Sequence, residues 1–242
     1  MREDTQVMKL KGIEPNKQIY NSLVRVYGRV CSLPDLPDAY RETAVMDTWK
    51  IVEEASARGM VDTILLNNVM TVHANALEVD KLEGLVLPLY EKHGLQMDSY
   101  SYEVLMVLHY NLKDFNTAVR MYRQFEKQMD DRKARDIEVR GEYAAKREVP
   151  RDDMRQTFNM PETLLQIGIR MMDMPMVLEA LAGFKKINRH PKNSSLKFLG
   201  NLKGLPEEIQ VSLMEFKIRF GAAKMKKTKT NSEGPVKDPQ DD

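Results

Sequence analysis

A short run of lysines near the end of the chain is the clearest chemical feature of the sequence. Lys224, Lys226 and Lys227 stand close together, and Lys217 and Arg219 precede them. Clustered cations bind phosphate groups because binding releases condensed counterions, so the run predicts contact with nucleic acid. The alternative is a basic tail that only keeps the chain in solution.

Residues that usually carry catalysis or bind metals do not form a recognisable set. His73, His93, His109 and His190 are far apart and show no metal-ligand spacing. The single cysteine, Cys31, has no catalytic motif around it and cannot form an internal disulfide. The sequence contains neither a Gly-rich phosphate loop nor a nucleophile elbow. It therefore predicts a protein that is not an enzyme, with no catalytic residues, no metal ligands and no cofactor.

The charges balance over the whole chain but not within it. The sequence has 37 Lys+Arg and 36 Asp+Glu, a formal net charge of +1. Residues 1–130 contain 15 basic and 19 acidic residues, a balance of −4, and the remainder has 22 and 17, a balance of +5. Attraction for nucleic acid must then come from local patches. The acidic first half argues against a strong phosphate-binding groove there.

Three glycines, each with an Asn or Asp three or four positions later, mark the boundaries of helix pairs. Gly12, Gly59 and Gly94 stand where helices are expected to end, since glycine adopts the left-handed conformation of a C-terminal cap. An Asn or Asp follows each glycine at the expected start of the next helix. The apolar spacing between these boundaries predicts three pairs: Asn16–Val30 with Asp38–Arg58, Asp62–Ala76 with Val79–His93, and Asp98–Asn111 with Asp114–Gln128.

A small or β-branched residue four positions before an aromatic residue recurs in the second helices. Residues four apart share a helix face, so the smaller one lets a neighbouring helix approach and the ring fills the space beside it. The pairs are Val45/Trp49, Val86/Tyr90, Ala118/Tyr122 and Ala180/Phe184. Met46, Trp49 and Val52 are predicted to form the buried stripe of their helix. The repeat length, in the mid-thirties, is typical of helix-turn-helix solenoids.

The chain changes character after Met129. Residues 130–158 alternate in charge and contain few apolar residues, which is typical of a solvated helix or a connector. Helical patterning returns in residues 159–220, a degenerate helical-repeat region. Residues 221–242 are basic and then acidic, with Gly, Pro and Ser, and are expected to be disordered. The predicted organisation is therefore repeats in 1–129, a charged connector, the degenerate region and a tail.

The first boundary resembles a known repeat family. Gly12-Ile-Glu-Pro-Asn16 is followed by Tyr20-Asn21-Ser22-Leu23, and Gly94-Leu-Gln-Met-Asp98, which lacks the Pro, is followed by Tyr102. These segments resemble the pentatricopeptide repeat family, whose repeats typically end in Gly-x-x-Pro-Asp/Asn and open with a Tyr-Asn-x-Leu helix. The resemblance covers residues 8–129. It implies an all-α, right-handed superhelical solenoid of antiparallel helix pairs, and where the family binds single-stranded RNA each repeat takes about one base.

The resemblance also assigns candidate RNA-binding residues. In the family, two polar residues read each base: the one after the Tyr and the last one before the next repeat. In this sequence these positions are Asn21 with Asp62, and Asn67 with Asp98, while Glu103 at the third such position is a poor match. The alternatives are an Asn on a solvated helix face and an Asp that caps a helix. Two pairs are few for sequence-specific capture.

Two functions follow from the resemblance. The first is an organellar protein that binds single-stranded RNA through its helical-repeat groove, in RNA processing, stability or translation. The second is a non-catalytic scaffold subunit of an organellar ribosome or RNA-processing complex, which contacts neighbouring proteins and rRNA backbone. The family indicates the mitochondrion first and the plastid second, although no transit peptide is visible in this chain. The sequence has no apolar run of about 18 residues, so no membrane partner is expected.

Overall fold

A computed structural model describes Gly12, residues 14–140 and residues 159–230, with side chains except at 133, 136, 140 and 220–230. Every regular element in this part of the chain is a helix, so the predicted all-α class is confirmed. The chain divides into two compact units, Met1–Thr157 and Phe158–Asp242. None of the described helices is long and apolar enough to cross a membrane.

The described part of the first unit, Gly12 and residues 14–140, contains three helix pairs. Its elements are α1 (Lys17–Cys31), α2 (Asp38–Ala57), α3 (Thr63–Asn75), α4 (Val79–Lys81), the π-helical turn π1 (Leu82–Val86), α5 (Leu87–Lys92), α6 (Ser99–Asn111) and α7 (Phe115–Arg140). The first helices of the pairs, α1, α3 and α6, pack side by side in chain order. The second helices are α2, the combined α4–π1–α5, and α7, and each contacts the first helix of its own pair.

The first helices begin at polar residues that bond to their own first turn. The side-chain oxygens of Asn16, Asp62 and Asp98 accept from the N–H groups of the residues three positions later, at 3.0, 2.8 and 3.0 Å. These bonds satisfy donors that a helix start leaves unpaired. The interpretation of Asp62 and Asp98 as helix caps is therefore confirmed.

Glycine ends the second helices of the first two pairs, as predicted. Gly12, Gly59 and Gly94 have φ angles of +68°, +65° and +64°, a region that only glycine enters without steric cost. After Gly59 and Gly94 the chain turns back, and the next N–H donates to a carbonyl in the last helical turn, at 2.8 Å (Met60 to Ala55) and 2.7 Å (Leu95 to Tyr90). These are the hydrogen bonds of a Schellman motif.

The small-and-aromatic pairs of the second helices lie in the core. The smaller members are buried and the aromatic members are buried or, for Trp49, half-buried. The predicted stripe of α2 is only partly right, since Val52 is buried and Trp49 packs against the core, but Met46 is 56% exposed. Met46 follows Val45 directly, so the helix turns it about 100° away from the buried face.

The first charged residues after Met129 are helical. Helix α7 continues beyond Gln128 to Arg140. Many of its later residues are Arg, Lys and Glu, which have good helix propensity, so the helix continues without a continuous apolar face. The rest of the predicted connector lies outside the described residues.

The second unit contains α8 (Asn159–Met171), α9 (Met174–Lys186), α10 (Asn193–Asn201) and α11 (Glu207–Thr230). Buried Glu162 of α8 accepts from the Ser195 hydroxyl at 2.6 Å and from the Lys192 N–H at 2.9 Å, so it caps the start of α10 from a neighbouring helix. Helix α11 extends to Thr230, so the first part of the segment predicted to be disordered is helical. Its Lys, Met and Ala residues favour helix.

Candidate nucleic-acid interface

A polar groove runs along the first helices of the first unit. It consists of two adjoining hollows of about 290 and 240 Å³, lined by residues of α1, α3 and α6, which share Arg25, Asn68 and Tyr100. The other lining residues are Asn21, Ser22, Ile64, Asn67 and Asp98 in the larger hollow, and Gly28, Arg29, Ser32, Thr71 and Asn75 in the smaller one. The groove thus offers two guanidinium groups, several amides, one aromatic ring and the carboxylate of Asp98.

Two amides at the base of the groove hold α1 and α3 together. The Asn68 side chain donates to the carbonyl of Asn21 at 3.1 Å, and that of Asn75 donates to the carbonyl of Gly28 at 2.9 Å. Donors and acceptors are each seven residues apart, about two helical turns, so the two bonds repeat with the same register. These amides stabilise the helix contact and position the neighbouring side chains of the groove.

The cations of the groove come from α1. Arg25 and Arg29 are exposed and stand one turn apart on the same face. On the opposite side, the hydroxyl of half-buried Tyr100 lies 3.4 Å from that of Thr71, which fixes the ring at the groove edge. Guanidinium groups bind phosphate, and an aromatic ring can stack with a base.

The acidic excess of the first half of the chain lies on other helices. Helices α1, α3 and α6 together contain three basic residues and one acidic residue, the buried Glu103. In contrast, α2 and α4–π1–α5 contain eight acidic and four basic residues. The net negative charge of residues 1–130 therefore does not describe the groove, which is mildly basic.

The structure brings together both predicted Asn/Asp pairs. The Asn67 amide donates to the two carboxylate oxygens of Asp98 at 3.0 and 3.1 Å, and the Asn21 amide donates to Asp62 at 3.4 Å. Each Asp also caps its own helix. The Asp62 carboxylate therefore connects the start of α3 to α1, and the Asp98 carboxylate connects the start of α6 to α3. The pairing is structural, and its RNA-binding role remains a prediction.

The amide of Asn67 is embedded in a buried polar network. Its side-chain oxygen accepts from the hydroxyls of Tyr90 at 2.7 Å and Ser101 at 2.5 Å, and Asn67 is only 5% exposed. Ser101 also completes a capping box with Asp98. Burial raises the pKa of Tyr90 well above its ordinary value, so its hydroxyl stays protonated and available as a donor.

Asn21 has a different environment. Asn21 is half-buried. Its side-chain oxygen is shielded from solvent but has no hydrogen-bond partner among the described residues. A shielded acceptor without a donor costs about 1–3 kcal/mol. The first pair therefore keeps an unsatisfied acceptor beside the larger hollow.

The predicted lysines cannot be placed at the groove. Lys224, Lys226 and Lys227 lie on α11, in the second unit, and their side chains are outside the described part of the structure. Glu103, the third position of the series, is buried in α6.

Other titratable groups lie in the interior of the first unit. Burial raises the pKa of Cys31, so the thiol stays protonated and is a poor nucleophile. Buried His73 contacts Glu78 through Nδ1 at 2.8 Å, and burial lowers its pKa although this carboxylate opposes the effect. No group of three or more His, Cys, Asp or Glu in the described residues is arranged to hold a metal ion.

Sequence reasoning missed most of the residues that line the groove. Arg25, Arg29, Asn68, Asn75 and Tyr100 belong to the first helices, but none occupies a position that the family resemblance singles out. A detectable signal was present, since Arg25 and Arg29 are four residues apart, and Asn68 and Asn75 are seven apart. Both spacings place the paired side chains on one helix face.

No known protein-family model matches this chain, and a search of curated proteins finds no match either.

Proposed function

We propose that this protein is a non-catalytic, RNA-associated helical-repeat protein of the pentatricopeptide class, with a right-handed solenoid in its first unit. It binds a short stretch of single-stranded RNA along the surface of α1, α3 and α6. Its place in the cell is a mitochondrial ribonucleoprotein assembly, where it acts in RNA processing, stability or translation.

The observation that carries the proposal is the separation of charge between the first helices and the second helices of the first two pairs, α2 and α4–π1–α5. The groove-lining helices carry the exposed arginines Arg25 and Arg29, while the acidic residues are concentrated on α2 and α4–π1–α5. An RNA strand in the groove meets cations and amides and avoids most of the carboxylates. Such an arrangement attracts a polyanion locally even though the whole chain is nearly neutral.

The chemistry of the groove suits a single strand better than a duplex. Single-stranded binders combine cations for the backbone with aromatic rings for the bases. Here Arg25 and Arg29 supply the cations and Tyr100 supplies the ring. The sequence preference is expected to be weak, because Asn67 is already bonded inside the protein.

The test compares two double variants that remove the same charge. Arg25→Gln/Arg29→Gln removes the groove cations, and Lys50→Gln/Lys92→Gln removes two exposed lysines from the second helices. RNA affinity, measured by fluorescence anisotropy with short single-stranded oligonucleotides, should fall about tenfold or more only for the arginine variant. The slope of log affinity against log salt should decrease by about 1.4, as expected for two lost phosphate contacts.

Equal losses in the two variants would show that binding follows net charge alone, and an absence of wild-type binding would reject the proposal. A third variant, Lys224→Gln/Lys226→Gln/Lys227→Gln, measures the contribution of the tail. The loss of these lysines is expected to weaken binding equally for every base composition, because cations on phosphate carry no sequence information.

The second candidate is a scaffold subunit of a mitochondrial ribosome or RNA-processing complex. The acidic second helices of the first two pairs, α2 and α4–π1–α5, favour it, since their excess of carboxylates suits a basic protein partner. Sedimentation of tagged protein from mitochondrial extract separates the candidates. Stable migration with ribosomal particles after RNase treatment would indicate a protein-held subunit, and loss of that migration would indicate RNA-mediated association.

A further inference from the structure

Helix α11 has apolar residues on two opposite faces. The inner face, which is buried in the second unit, consists of Ile209, Leu213 and Phe216. The outer face consists of Val211, Met214 and Ile218, which are 50%, 64% and 67% exposed. Each set follows the three- and four-residue spacing of one helix face, and at about 100° per residue the two sets lie on opposite sides of the helix. The second unit therefore buries only one of the two apolar faces of α11.

The three outer residues form a continuous strip, which we call the outer stripe. Single exposed apolar residues are common on protein surfaces, whereas a contiguous apolar patch marks an interaction site. The sequence continues the same spacing with Ala222 and Met225, and α11 extends to Thr230. Apolar residues at intervals of three and four along one side of a long helix are typical of lengthwise packing against another helix.

The charges of α11 indicate which helix suits the outer stripe. The acidic residues all lie in the first ten positions of the helix and the basic residues all lie in the last fourteen. They are Glu207, Glu208 and Glu215, and then Lys217, Arg219, Lys224, Lys226, Lys227 and Lys229. An antiparallel copy of the same helix places the acidic part against the basic part, whereas a parallel copy places like charges together. The helix dipole favours this distribution of charge as well, but it does not account for the outer stripe.

We propose that α11 packs antiparallel against α11 of a second copy of this chain, along the outer stripe. Ile218 lies at the centre of the contact, opposite its own counterpart. In this register Val211 lies opposite Met225, and Met214 lies opposite Ala222. Apolar residues then meet at each step, and a small residue faces a long one, which allows close packing. The inference goes beyond the proposed RNA binding and does not depend on it.

The electrostatic attraction acts near the two ends of this helix pair. Glu207 and Glu208 are exposed, and each pair of them lies near the last lysines of the other copy. Glu215 already pairs with Lys185 of its own chain at 2.5 Å and is not needed for the contact. Because the attraction is between exposed charges, self-association should weaken as the salt concentration rises.

Analytical ultracentrifugation of the full chain tests the contact. The wild type should self-associate, and Ile218→Glu should weaken the association about tenfold or more, because it places two like charges opposite each other at the centre. Phe198→Glu is the matched control, since Phe198 is 51% exposed but belongs to α10, and it should leave the association unchanged. Circular dichroism shows that both variants are folded. A wild type that stays monomeric at high concentration, or equal weakening in both variants, would overturn the inference.

Disulfide cross-linking tests the orientation. In the antiparallel pair, positions 211 and 225 of the two copies are neighbours, whereas two copies of either position are about 21 Å apart, which is too far for a disulfide. The variants Val211→Cys and Met225→Cys should therefore cross-link under mild oxidation only when they are mixed. Native Cys31 is buried and present in every sample, so its contribution on a non-reducing gel is the same throughout. Cross-linking of each variant with itself would indicate a parallel pair, and an absence of the mixed product would reject the proposed register.

Discussion

The first and second junctions of the first unit share a plan and differ in their interiors. At both, an Asn from one first helix donates to the Asp that caps the next. At the second junction, the hydroxyls of Tyr90 and Ser101 convert this contact into a buried network, whereas at the first junction apolar Ala55 and Leu65 leave the Asn oxygen unsatisfied. The same residue pair can therefore belong to the core or border a binding groove, depending on its neighbours.

The largest expected difference between the junctions is in stability. Asn67→Ala leaves the buried hydroxyls and the Asp98 carboxylate with fewer partners, and it should lower the free energy of unfolding by about 2–4 kcal/mol. Asn21→Ala removes one long hydrogen bond and an unsatisfied oxygen, so the expected loss is below about 1 kcal/mol. Urea unfolding measures both, and equal losses would remove the distinction between the junctions.

Removal of the capping aspartate should also cost more stability at the second junction than at the first. Asp98→Ala removes the capping box and the partner of Asn67, with an expected loss of about 2 kcal/mol, while Asp62→Ala should cost about 1 kcal/mol. Thermal unfolding of the two variants shows which loss of stability is larger. Because both residues cap helices of the same length, a larger loss for Asp62→Ala would show that the buried network adds no stability.

Removal of a single hydroxyl measures how much one donor of the buried network contributes to stability. Tyr90→Phe should lower stability by about 1 kcal/mol, since the ring still fills its place in the core. Tyr20→Phe is the matched control at the first pair, where the hydroxyl bonds the more exposed Glu54 at 3.3 Å, and the expected effect is about half as large or less. Chemical denaturation of both variants should show this order, and the reverse order would count against a strong bond to Asn67.

The smallest expected difference between the first two helix pairs is in how their stability depends on pH. Burial lowers the pKa of His73 below its ordinary value of 6.5, so the unfolded chain binds more protons than the folded one as the pH falls below 6.5. Stability should therefore decrease with acidification in this range. The corresponding residue of the first pair is Tyr27. His73→Gln should flatten the pH profile of urea unfolding.

A second carboxylate also contributes at lower pH. Burial alone would raise the pKa of Glu78, but hydrogen bonds from Lys81 and His73 hold it below its ordinary value of 4.5. The stabilisation that Glu78 contributes is present above pH 4.5 and is lost as the pH falls further. The loss of stability from His73 should therefore precede that from Glu78 in an acid titration.

Much of the fold could be predicted from the sequence because its signals are local. Asn16, Asp62 and Asp98 cap helices by bonding to N–H groups three residues away, and Gly59 and Gly94 end helices through their own φ angles. The error at Met46 has the opposite origin. Its apolar character indicated burial, but whether a residue next to the buried stripe is covered depends on the helices packed around α2.

The candidate site could be predicted only in part. The pairing of Asn21 with Asp62 and of Asn67 with Asp98 recurs at equivalent positions, so a repeat comparison finds it. Arg25, Asn68 and Tyr100 were missed because they come from three different first helices, and their common groove exists only after those helices pack.

The sequence by itself determined where the helices of the first unit begin and end, apart from the end of α7, and which small and aromatic residues of the second helices enter the core. These properties depend on hydrogen bonds and side-chain spacing within a few residues. Only the tertiary structure decided which Asn is satisfied and which helices carry the acidic charge away from the groove. The two donors of Asn67 come from α5 and α6, so its availability is set by packing between elements and not by its own position in the chain.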